Sequence, residues 1–239
     1  MTVMLGEIQE IEWLDAHTRR IPTGGGLGID IAMQRADDLD ERCLDFLGKR
    51  LDECVDRQVA ALDIACGHGG QSLRMAARGA AVTAVDIQDK GKAFTAVVNR
   101  RRIGKPPVFI QADMRRLPED MPGAPYDAII CQRAIHYMPY VEGLATIRKW
   151  ATLLRPGGRL FLSASGLGSD MGTNYPHRCM AVEKRFACLA PEAAARYDMR
   201  PPVCLYDTAD LINLLHRAGF GVAETFVSPF GNVKAVAFV

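Results

Sequence analysis

The chain is short of the features that would assign it to several large classes. It has no CxxC pair, and its cysteines are an odd seven, so neither a disulfide framework nor a zinc ribbon is expected; reduced thiols in a cytoplasmic protein are the simpler reading. No apolar stretch reaches the ~20 residues that a membrane-spanning helix needs. The start, MTVMLGEIQEIEW, lacks the basic and apolar runs of a secretory leader. Charge of one sign is also missing: 29 Lys and Arg stand against 28 Asp and Glu, which gives no general electrostatic pull toward nucleic acid. Repeats and low-complexity tracts are absent. What remains is a 239-residue chain, 49% hydrophobic and 24% charged, the composition of a globular protein with a sizeable core.

Texture changes twice along the chain. IPTGGGLGID, residues 21–30, is a glycine-rich hinge. After it, Leu39, Cys43, Leu47, Leu51 and Val55 recur every four residues and predict an amphipathic helix. From residue 59 onward, short apolar runs alternate with helical patterns: VAALDIA, AVTAVDI, PVFIQAD, YDAIICQ and RLFLSAS read as strands, with RPGG ending the helix before the last. That alternation predicts an α/β fold with a parallel sheet and helices on both faces. Residues 166–206 interrupt it with a glycine-rich loop, an expected helix around Val182 to Leu189, and RPPVCLYD. An insertion of that length in a compact domain is often functional. Asp207 to Ala218 then reads as a helix, and GFGVAETFV and VKAVAFV as a terminal hairpin. The expected organisation is an N-terminal segment over residues 1–57, a possible lid, and a main domain over residues 58–239.

The segment ALDIACGHGGQSL carries the chemistry. Small residues at Ala65, Gly67, Gly69 and Gly70 let a ligand approach the backbone, and the helix that follows aims its first amides at it. Asp86 closes the second strand, about 20 residues on, where a carboxylate can accept hydrogen bonds from both ribose hydroxyls of an adenosine. Asp113 and Met114 follow the third strand, placed for an adenine edge and face. The dinucleotide pattern GxGxxG is not completed, because Ser72 and Leu73 follow Gly69-Gly70, and this argues against NAD.

With these segments in this order, the chain resembles the class I S-adenosylmethionine-dependent methyltransferases. LDIACGHGG, AVDI, QADMRRLP, YDAIICQRAIHYMP and LLRPGGRLFLSAS look like their successive motifs; the departure is Ala65, where a glycine is usual. The resemblance implies a Rossmann-like, doubly wound, seven-stranded sheet, mostly parallel with an antiparallel last strand. It implies S-adenosylmethionine as cofactor. The expected cofactor-binding residues are Asp63, Ala65, Cys66, Gly67 and Gly69 at the first turn, Asp86 and Ile87 for the ribose, Asp113 and Met114 for adenine, and Gln132 and Arg133 facing the methyl group. No metal site is expected. His136 is the candidate general base, since imidazole titrates near neutral pH; the alternative is a packing histidine. His68 could meet the cofactor carboxylate or point outward. A small-molecule acceptor is the leading expectation. The alternatives are RNA or protein methylation, for which Arg100, Arg101, Arg102, Lys105, Arg115 and Arg116 offer a basic cluster, and a non-catalytic cofactor-binding module.

Overall fold

A computed structural model describes residues 21–101 and 105–239. Residues 1–20 of the N-terminal segment and Arg102 of the basic cluster lie outside the described residues. The elements run α1 (Asp38–Glu53), β1 (Ala60–Ile64), α2 (Gly70–Ala77), β2 (Ala81–Asp86), α3 (Gly91–Arg101), β3 (Val108–Gln111), β4 (Tyr126–Gln132), α4 (Tyr140–Ala151), β5 (Leu154–Ala164), α5 (Pro191–Tyr197), α6 (Thr208–Ala218), β6 (Gly221–Val227) and β7 (Val233–Phe238). The seven strands form one sheet in the order β3-β2-β1-β4-β5-β7-β6. β7 runs antiparallel to both its neighbours, and the pairs from β3 to β5 are parallel. This is the Rossmann-like arrangement that the sequence predicts.

The period of two along each strand divides the core into two layers. Leu62, Ile64, Ile129 and Cys131 pack toward Leu144, Ile147 and Trp150 of α4 and Leu211, Leu214 and Leu215 of α6. Ala61, Ala128, Ile130 and Phe161 face the other way, onto Leu39, Cys43 and Leu47 of α1 and Met75 of α2. α1 begins in a capping box: Asp37 accepts from the amide of Asp40 at 3.1 Å, and Asp40 accepts from the amide of Asp37 at 2.9 Å. α6 repeats the device with Asp207 and Asp210.

Three expectations are corrected. Val55 lies beyond the end of α1 and is exposed, because the helix stops at Glu53 and an apolar period cannot carry it into a segment with no partner. RPGG does not end α4; it lies inside β5, which starts at Leu154 opposite Tyr126 and shifts register before Arg159 pairs with Ala128. The helix expected at Val182 to Leu189 is a single 3-10 turn, Val182–Lys184. Ala187 instead exchanges backbone hydrogen bonds with Val203. The helix of the insertion is α5, with Pro191 in its first turn, where a missing amide costs nothing.

Residues 166–206 have a small core of their own, built from Tyr175, Leu189, Met199, Val203 and Leu205. The hinge docks on this insertion: the amide of Gly28 donates to the carbonyl of Asp198 at 2.9 Å, and that of Arg200 to the carbonyl of Gly26 at 2.9 Å. The two segments that break the sheet pattern are therefore joined over the C-terminal ends of the strands, where open α/β sheets bind ligands.

Candidate functional site

At those strand ends lies a cavity of about 290 Å³, lined from β1 by Asp63, Ala65, Cys66 and Gly67, from β2 by Asp86 and Ile87, from the turn after β3 by Asp113 and Met114, and from β4 by Gln132 and Arg133. Of the residues expected at the site, Gly69 and His136 are not brought to this lining. Gly69 turns against α3 instead: a Cβ there would meet Phe94 at 2.2 Å.

The turn after β1 is held open by backbone geometry. Ala65 has φ 56° and Gly67 φ 60°, the left-handed region that glycine enters freely and alanine does not. This is the physical reason a glycine suits the Ala65 position. A Cβ on Gly67 would meet Asp30 Oδ2 at 2.5 Å. Asp86 Oδ2 accepts from the Gly67 amide at 3.0 Å, and Oδ1 from the Gln88 amide at 2.9 Å. The carboxylate is thus fixed at the cavity wall with acceptor capacity left for a diol.

The turn after β3 is also anchored. The Trp150 indole N–H donates to the Met114 carbonyl at 3.2 Å. Arg115 grips Asp113, with Nη2 2.6 Å from Oδ2, and holds that carboxyl below its ordinary range.

Sequence reasoning expected a possible lid from residues 1–57 but named none of its lining residues, and it missed part of the floor. Thr23, Leu27, Ile29, Asp30, Ile31 and Ala32 close the cavity from the hinge side, and Pro201 from the insertion. Asp30 accepts from the His68 amide at 2.7 Å, from its ring Nδ1 at 2.8 Å, and from the Met33 amide at 3.0 Å. Burial opposes the charge of Asp30, but these bonds outweigh it and keep the carboxyl below its usual value. His68 therefore holds the roof. On the floor, Asp40 of α1 is 1% exposed and accepts from Gln132 Nε2 at 2.6 Å. Burial, then the adjacent Asp37 charge, push it up to about 6. Asp63 accepts from Ser72 Oγ at 2.5 Å, and burial, with the charges of Asp40 and Asp30 adding to it, raises it to about 7. The capping pattern DDLD around Asp40 was the one available signal, and it reads equally well as an ordinary helix start.

The cavity wall carries five aspartates and two arginines. A ligand with cationic centres and a ribose diol fits these carboxylate acceptors, and S-adenosylmethionine has both. No group of His, Cys, Asp and Glu suited to a metal ion occurs among the described residues, and all seven cysteines are free.

His136 sits behind the wall, 1% exposed. Its Nδ1 accepts from the Ser165 amide at 3.3 Å. Burial, together with the nearby Arg133 charge, pushes it down to about 3. Of the other insertion residues, Tyr175 donates to the Val203 carbonyl at 2.6 Å, and Arg178 to the Leu167 carbonyl at 2.6 Å, which braces the insertion rather than lining the cavity.

A family model described as a methyltransferase domain matches residues 61–158. The ubiquinone biosynthesis O-methyltransferase of Dechloromonas aromatica (strain RCB) is 32% identical over 134 residues, 56% of this chain and 51% of that protein. The chain thus spans about half the length of the curated relatives it matches. Among solved structures, the magnesium protoporphyrin IX methyltransferase of Synechocystis PCC 6803 with bound SAH has a TM-score of 0.57 at 22% identity, covering 83% of this chain and 82% of that one. The 1,6-didemethyltoxoflavin-N1-methyltransferase of Burkholderia thailandensis has a TM-score of 0.57 at 20% identity, covering 83% and 79%. At these identities the two structures establish a shared fold.

Proposed function

We propose that the protein, whose residues 61–158 match a methyltransferase-domain family on a sheet of Rossmann-like strand order, transfers the methyl group of S-adenosylmethionine to a small-molecule acceptor held beneath residues 23–32. The observation that carries this reading is the convergence of Asp63, Asp86 and Asp113, from three successive strand ends, on one roofed cavity. Asp86 takes the ribose hydroxyls, and Met114 packs on the adenine beside Asp113. Asp63, Ala65, Cys66 and Gly67 border the methionine part, and Gln132 and Arg133 face the methyl group.

The cofactor supplies the activated methyl carbon on its sulfonium. The chain's own work is to bind, to orient and to keep water out. Asp40 and Asp63, both raised as the free protein stands, recover their charge when a cation sits beside them. The roof of hinge and insertion acts as a lid, which has to open for the ligands to enter.

A cavity roofed by residues 23–32 and Pro201 favours a small acceptor over RNA or a protein chain, since a macromolecule needs an open track. Arg115, one member of the basic cluster, is already paired with Asp113 and Glu142. Among the described residues no helix is long and apolar enough to cross a membrane, and the free thiols suit a reducing compartment such as the cytoplasm.

The test is incubation with methyl-labelled cofactor and a cell extract separated into small molecules, RNA and protein. Label in the small-molecule fraction is expected. Label confined to RNA or protein, or bound cofactor with no transfer to any fraction, contradicts the reading.

A further inference from the structure

Among the described residues, Arg133 is the charged side chain of the cavity left without a hydrogen-bond or ion-pair partner. Each carboxylate on the wall is engaged: Asp30 by His68 and Met33, Asp40 by Gln132 and the Asp37 amide, Asp63 by Ser72, Asp86 by two amides, and Asp113 by Arg115. Arg115, the other cation, pairs with Asp113 and Glu142. No hydrogen bond or ion pair joins the half-buried guanidinium of Arg133 to any described residue, although Asp37 lies near enough to feel its charge.

The position is imposed on it. Arg133 has φ 49°, a left-handed conformation that non-glycine residues hold only where the surroundings compel it. Its amide is pinned by the Ser163 carbonyl and the Ser163 hydroxyl, both at 3.0 Å. A cation kept at a ligand cavity by a strained backbone, with no ion pair among the described residues, is placed to take an anionic group of a ligand.

Among the described residues, the same end of the cavity has no base free of hydrogen bonds. His136 is buried off the lining, with Nδ1 already accepting a hydrogen bond. Tyr137, the phenol on the wall, has its ionisation pushed up by burial. The carboxylates there already accept the bonds above. An acceptor that needed deprotonation in place would meet, among the described residues, only groups already engaged.

We infer that Arg133 receives the reacting oxygen of the methyl acceptor, and that the acceptor is an acid that binds as its oxyanion: a carboxylate, or an enol or phenol acidic enough to be ionised. A lone pair of that oxygen forms the new O–CH3 bond while the C–S bond breaks and its electron pair stays on sulfur. One negative and one positive charge cancel, and no proton moves. The inference rests on the methyl-transfer reading above.

The full chain is incubated with methyl-labelled S-adenosylmethionine and a small-molecule extract split on an anion-exchange resin at about pH 8, where such acids are ionised. Label is expected from the retained acids and not from the flow-through. Arg133→Gln is expected to lower kcat/KM for that transfer about 100-fold, the scale for removing one partner of a hydrogen-bonded charge pair that binds and orients the acceptor. Arg133→Lys should restore part of it, and Arg133→Gln should leave S-adenosylhomocysteine affinity and melting temperature near parental. Label from the flow-through overturns the inference, and this arm needs only the parent protein. It is also overturned if Arg133→Gln weakens S-adenosylhomocysteine and loses the preference for S-adenosylmethionine over its decarboxylated form, for the guanidinium then holds the cofactor's carboxylate. If neither fraction accepts label, methyl transfer to a small molecule fails instead. Binding of benzoate against benzamide to the S-adenosylhomocysteine-loaded protein then decides Arg133: equal affinity overturns the oxyanion site, and a benzoate preference lost in Arg133→Gln upholds it.

Discussion

The carboxylate of Asp30 is bound twice by His68, through the backbone amide at 2.7 Å and the ring Nδ1 at 2.8 Å. One residue of the hinge is thereby tied to the glycine turn at which the cofactor is expected. Asp30→Ala removes both bonds and the acceptor for the Met33 amide. Residues 21–32 should then exchange amide hydrogens faster in the free protein, and S-adenosylhomocysteine should slow them. Equal exchange in parent and variant, with and without ligand, would mean that the roof does not depend on this contact. Because the Asp30 carboxyl is held below its ordinary value, its contribution is present above that value and is lost as pH falls through the folded one.

His136→Asn separates a packing histidine from a general base. A ring with Nδ1 engaged and its ionisation pushed down to about 3 stays neutral throughout the working range. The expected outcome is turnover within a few-fold of the parent and a melting temperature lower by several degrees, since a buried side chain bonded to the Ser165 amide is disturbed; each kcal/mol corresponds to about 2–4 °C in a chain of this size. A loss of about 100-fold in turnover at unchanged melting temperature would restore the role of base.

Asp40 and Asp63 make the floor of the cavity pH-sensitive. Both are raised above the ordinary 3.8, so they contribute stability that is complete in acid and is lost as pH rises through about 6 and about 7. The free protein should lose stability across that window, and Asp63→Asn should flatten the loss. A bound cation favours the ionised carboxylates, so S-adenosylmethionine should bind more tightly as pH rises through the same window and release protons. Calorimetry in buffers of different ionisation enthalpy reads that release directly. Binding with no proton exchange would contradict the assignment of a cationic centre to the floor.

Ala65→Gly tests the strained turn. Alanine at φ 56° carries a steric penalty of about 1 kcal/mol that glycine does not, offset in part by the greater freedom of glycine in the unfolded chain. The variant is expected to be as stable as the parent or more so, with cofactor affinity retained. A clear fall in melting temperature would show that the methyl group of Ala65 contributes packing that outweighs the strain.

The sheet was legible because its signals are local. Short apolar runs end in Asp63, Asp86 and Asp113, and a parallel sheet puts those ends on one side. The failures have physical causes in contacts that sequence order hides. RPGG looks like a helix stop, yet Tyr126 pairs with Leu154 ahead of it and draws it into β5. Val182 to Leu189 has helical spacing, but Val203 claims the backbone of Ala187. At the site, the residues adjacent to strand ends could be named in advance. Asp40, Leu27 and Pro201 could not, for they reach the cavity from three segments remote in sequence. His136 shows the converse: being close in sequence to the end of β4 did not bring it to the cavity, since its 3-10 turn, Ile135–Tyr137, buries it and leaves Tyr137 on the wall.

The account stands most directly on Asp86, whose carboxylate is fixed by the amides of Gly67 and Gln88 at the place expected for a ribose. Calorimetric titration of S-adenosylhomocysteine into the parent protein and into Asp86→Ala measures this. Saturable binding is expected in the parent, weaker by roughly tenfold or more in the variant, the loss of about 1.4 kcal/mol or more expected when charge-assisted hydrogen bonds are removed, with the fold intact by circular dichroism. No binding in the parent, or equal affinity in the two proteins, would contradict it.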